Sequence, residues 1–67
     1  MSNVKYPEIT VELIGHDGNA FAILGAVTRA MRKAKLPVNI INEFTEEATN
    51  GTYDHLLMTA MNWVNVE

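Results

Sequence analysis

The residues best equipped for chemistry are two histidine–aspartate neighbours, His16-Asp17 and Asp54-His55. Both pairs lie next to segments that read as helix starts, so the topology can bring them together. Two imidazoles and two carboxylates suit Zn²⁺ or a related divalent ion. Adjacent side chains diverge, however, and the chain has no HxxxH or HExxH spacing. The plainer reading makes Asp17 and Asp54 helix caps and places the histidines at the surface. No metal and no cofactor are expected. The sequence has no cysteine, which removes thiolate ligands, cysteine nucleophiles and disulfides together. Its one serine, Ser2, falls near the start, and its six threonines lack a nucleophile context. Gly15-His16-Asp17-Gly18 precedes a helix, where phosphate loops sit, yet Asp17 places negative charge on that spot. Neither GxGxxG nor GxxxxGK[ST] occurs. The chemistry favours a protein that is not an enzyme.

The elements behind these residues are legible. Ile9-Thr10-Val11-Glu12-Leu13 alternates apolar and polar, which predicts a strand with Ile9, Val11 and Leu13 inward. Residues Met1–Pro7 read as a flexible tail. From Ala20 the period changes to that of a helix. Phe21, Leu24, Thr28 and Met31 form one stripe, and Ala20, Ile23, Val27, Ala30 and Ala34 an adjoining one. Asp17 or Asn19 can cap this helix. Gly25 sits in its middle, where a close approach by another element would account for it. Leu36-Pro37 ends the helix, and Pro37 can open the next. There Ile40, Ile41, Phe44 and Ala48 face inward, and Asn50-Gly51 is a stop. Thr52 or Asp54 can cap a third helix, with Tyr53, Leu56, Leu57, Ala60 and Met61 inward. Asn62 to Glu67 alternates again and reads as a second strand, with helical continuation as the alternative.

This order predicts a single α+β domain of 67 residues, β-α-α-α-β. Its two-stranded sheet comes from the chain ends and packs on three helices. A chain of this size buries only about 60% of its unfolded surface, so its core is small and partner surface is a natural support. Unpaired strand edges point the same way, towards a homo-oligomer or another partner.

The net charge of −3 is a difference between unequal parts. Residues 1–35 hold all five Lys and Arg against three acids, a net +2. The rest holds Glu43, Glu46, Glu47, Asp54 and Glu67 with no Lys or Arg, a net −5. Mutual compensation between the basic end of helix one and the acidic face of helix two is one reading. A bipolar docking surface is the other, with Arg29, Arg32 and Lys33 on one side and Glu43, Glu46 and Glu47 on the other. Trp63 and Tyr53 join them as partner-binding residues. Trp63 is exposed if the second strand turns Val64 and Val66 inward; otherwise it covers the core edge. Met31, Met58 and Met61 read as core filler.

Leu13-Ile14-Gly15, the run Asp17 to Gly25, Ala30-Met31-Arg32, Glu47-Ala48-Thr49, Tyr53 to Leu57 and Trp63-Val64 carry a resemblance. From about Val11 onward the chain resembles a family of uncharacterised small bacterial and phage proteins. The resemblance implies a bacterial or phage origin and brings no activity or site with it. Short phage proteins without catalytic equipment often bind and block a host protein.

The expected function is therefore a non-enzymatic protein-binding module, an inhibitor or accessory subunit. The alternative is a small nucleic-acid or nucleotide binder using Arg29, Arg32, Lys33 and Lys35, against which the acidic balance weighs. A metal-dependent hydrolase around His16 and His55 is a third reading. No run approaches the roughly 18–20 apolar residues of a membrane helix, and Met1–Pro7 has no signal-peptide pattern. A cytoplasmic protein without membrane contact is the expectation.

Overall fold

In a computed structural model, residues 4–13 and 19–67 are described. The predicted strand over residues 9–13 begins earlier, so β1 spans Tyr6–Val11. Ile9 and Val11 are buried, as the alternation requires, while Leu13 is half-buried beyond the strand end. Residues counted as tail are thus paired: the Lys5 N–H donates to the Asn62 carbonyl at 3.0 Å.

Helix α1 spans Ala20–Lys33. Its cap is Asn19, whose Oδ1 accepts the Phe21 N–H at 2.8 Å. Ile23, Val27 and Met31 form its buried line. The helix stops in a left-handed turn at Lys35, φ 65°. Lys35 N–H donates to the Arg32 carbonyl and Leu36 N–H to the Met31 carbonyl, at 2.9 and 3.1 Å. These two bonds are a Schellman closure, with Lys35 in the position glycine usually takes. Helix α2, Val38–Ala48, follows with Pro37 as its N-cap residue, one place earlier than the first helical position. Helix α3, Tyr53–Trp63, is capped by Thr52, whose Oγ1 accepts the His55 N–H.

Strand β2 is short, Val64–Val66. The predicted strand began at Asn62; instead α3 continues through Trp63. The reason lies in spacing: Leu56, Ala60 and Trp63 recur at i, i+4 and i+7, on one side of a helix. Val64 then turns into the core.

The two strands form one parallel sheet. Parallel neighbours need a long crossover, here provided by the three helices. Tyr6 pairs with Val64 and Thr10 with Asn65, so β1 bulges between them. Pro7 falls in the bulge, where it has no N–H to offer a ladder. The Asn65 amide donates to the Pro7 carbonyl and bridges the irregular stretch. Past the bulge, Glu67 N–H donates to the Val11 carbonyl and Leu13 N–H to the Glu67 carbonyl, both at 2.9 Å.

Helix α1 packs on β1, α2 lies against α1 and α3, and the core between them centres on Phe44, Met31, Val27 and Val64. The radius of gyration is 10.8 Å, close to the value of about 11 Å expected for a compact domain of this length. Among the described residues no helix is long and apolar enough to cross a membrane.

Two expectations about the core are corrected. Met58 and Met61 are exposed on the outer face of α3, and only Met31 is buried. Phe21 and Tyr53, both placed inward by periodicity, are also exposed. Periodicity finds the side of a helix; it does not show how far a neighbouring helix covers it.

Candidate functional site

Trp63 joins three elements. The residue is 2% exposed, so the reading in which it covers the core holds and the exposed-strand reading is corrected. Phe44 meets it edge-on at 5.5 Å between centroids, and Tyr6 stacks on it at 6.0 Å. Lys5 Nζ lies 4.1 Å from the ring centroid, an arrangement that favours cation–π attraction. The indole N–H donates to the Glu47 carboxylate. Two residues read as partner-binding are thereby used on each other, inside the fold.

Around the next turn, His55 makes a second strap. Its Nε2 lies 2.7 Å from the Glu47 carbonyl oxygen. A carbonyl only accepts, so Nε2 carries the proton. The imidazole thus satisfies a terminal carbonyl of α2 from within α3. Gly51 follows from this placement: a Cβ there would stand 2.9 Å from the His55 ring. Asp54 lies in the first turn of α3, where negative charge complements the dipole, while the cap itself is Thr52.

His16 and Asp17, with the Gly15–Gly18 loop, lie outside the described residues. Among the described residues no group of three or more His, Asp or Glu is placed to hold a metal.

A groove of about 250 Å³ opens between the first turns of α1 and the α2–α3 turn. Phe21 and Leu24 form one wall, Tyr53 and Leu56 the other, with Ala48 and Thr49 between them. Ala48 is small and Gly51 has no side chain, so among the described residues nothing large occupies the space. Phe21 is 84% exposed and Tyr53 41%. Full burial of a phenylalanine stabilises by about 1.5–3 kcal/mol, and a chain this small leaves that unused here. One turn beyond Phe21, a Cβ on Gly25 would meet nothing within 4 Å. Among the described residues no close approach accounts for Gly25.

The charged residues occupy different hollows. Glu43, Glu46 and Glu47 line one with Thr49 and Asn50. Thr49 also lines the apolar groove, so the two depressions adjoin. Lys33 lines another, with Glu8 and Thr10 of β1. Arg29 and Arg32 are exposed on the later turns of α1. Of the residues singled out by sequence, the structure places Tyr53 at the groove, Glu43 and Glu46 beside it, and Trp63 in the core. Phe21 was missed; its aromatic character at a helix start was the available signal.

No known family model, no curated protein and no solved structure matches the chain.

Proposed function

We propose that this chain is a non-enzymatic protein-binding module, an inhibitor or accessory subunit of bacterial or phage origin. The groove beside Phe21 and Tyr53 receives an apolar side chain of the partner. The observation that supports this is the exposure of Phe21 on the wall of an apolar groove. Aromatic side chains around a desolvated pocket are the usual anchors of protein interfaces. Paired with small residues and glycine on the floor, they give shape without reactive groups.

Affinity capture from bacterial lysate with wild-type chain and with Phe21→Ala tests the reading. Phe21 carries little packing, so the variant keeps its melting temperature. A defined protein retained by wild type and lost by the variant is the expected result. Equal capture by both, or none by wild type, rejects the groove as the docking site.

A further inference from the structure

We infer that the occupant of this groove is a basic peptide segment of the partner protein. One apolar side chain enters between Phe21 and Tyr53, and neighbouring Lys or Arg residues lie over Glu43 and Glu46. The inference rests on the docking reading above and names the partner's chemistry.

The argument is one of charge around an apolar hole. The hollow that holds Glu43, Glu46 and Glu47 adjoins the groove through Thr49. On α3 Asp54 is exposed directly after Tyr53, which lines the groove. No Lys or Arg occurs after residue 35, so α2 and α3 offer the groove no cation. On α1 the first cation beyond the groove is Arg29, five residues past Leu24 of the wall, about 7.5 Å along a helix. Glu46 is nearer, two residues before Ala48 of the groove. The rim is thus acidic on α2 and α3. An apolar segment with acidic flanks would meet like charge at this rim, and a neutral one would leave the field unused. A basic flank is attracted at the encounter and held in register once the anchor is seated. Glu47 is partly committed to the Trp63 indole, which leaves Glu43 and Glu46 to face the ligand. A second copy of this chain also carries a basic run, Arg29 to Lys35. Its net charge of −3 opposes that pairing at long range.

A displayed library of short random peptides, panned against the full chain, reads the preference directly. Phe21→Ala and the double variant Glu43→Lys/Glu46→Lys are panned in parallel. All three substitutions fall at exposed positions, and a thermal melt confirms that each variant is folded. Wild type is expected to select peptides with a large apolar residue beside Lys or Arg. Those peptides lose at least tenfold in affinity on Phe21→Ala. The double Lys variant is expected to shift selection to Asp and Glu flanks. Selection of apolar peptides with no charge preference would overturn the basic assignment and leave the groove reading standing. Failure to select any Phe21-dependent peptide would overturn both. Sedimentation of the wild-type chain supplies the last outcome: a dimer that dissociates on Phe21→Ala would give the groove to a second copy and overturn the foreign segment.

Discussion

The indole N–H of Trp63 donates to the carboxylate of Glu47, across sixteen residues, and ties the end of α3 to the last turns of α2. This bond, together with Tyr6, Phe44 and Lys5 around the ring, makes Trp63 the joint between the sheet and the helices. A part-buried donor that loses its acceptor costs about 1–3 kcal/mol. Glu47→Ala is therefore expected to lower the melting temperature, and Glu47→Gln, which keeps an acceptor, to lower it less. Trp63→Phe should resemble Glu47→Ala. Trp63→Ala removes about 3–5 kcal/mol, comparable with the whole stability of a chain this size, and should leave it unfolded. Circular dichroism melts of the four variants check the order. Equal melting of Glu47→Ala and wild type would remove the bond from the account.

Two glycines are expected to respond in opposite directions. Gly51→Ala brings a Cβ to 2.9 Å from the His55 ring and 3.0 Å from its Cβ. Overpacking of this kind destabilises by about 1–3 kcal/mol. Gly25→Ala meets nothing within 4 Å, and alanine is about 1 kcal/mol better than glycine in a helix interior. Denaturant unfolding should show a lowered midpoint for the first and a raised one for the second.

Lys35 holds a left-handed conformation that costs a side chain about 1–2 kcal/mol. Lys35→Gly relieves it without touching the core. The expected gain is up to about 1 kcal/mol, or about 4–8 °C in melting temperature. An unchanged or lowered melting temperature would contradict the strain.

Removal of residues 64–67 takes away the fully buried Val64, both ladder partners of Thr10 and Val11, and the bonds to Leu13 and Val11. The single remaining strand would have no neighbour. The truncated chain is expected to lose cooperative unfolding, read as a flat calorimetric trace. A sharp transition would show that the sheet is dispensable.

Much of this fold was legible in particular residues. Ile9 and Val11 alternate with polar neighbours and face the core; Asn19 and Thr52 stand where caps belong, and both cap. Val64 and Trp63 are both buried, although the sequence offered them as alternatives. Trp63 was misplaced because it belongs to two periods at once. It is the last of the helical series Leu56, Ala60, Trp63 and the first of the alternating series that continues through Val64. Single-period reading cannot split a residue at such a junction. Phe21 was placed inward because its spacing matches Leu24 and Met31, yet it stands exposed on the wall of an open groove at the first turns of α1. The Trp63–Glu47 bond and the contact between Gly51 and the His55 ring depend on how helices meet, which local spacing does not encode. The groove is legible only after both are known, since its floor is the turn that His55 straps down.

The central claim is that a partner docks beside Phe21, and a photo-reactive side chain at that position tests it most directly. Benzoylphenylalanine replaces Phe21 in one sample and Met58, exposed on the outer face of α3, in another. Both are irradiated in bacterial cells and read by gel shift and mass spectrometry. The account predicts a discrete adduct from position 21, absent from position 58 and competed away by excess wild-type chain. No adduct from position 21, or the same adducts from both positions, would contradict it.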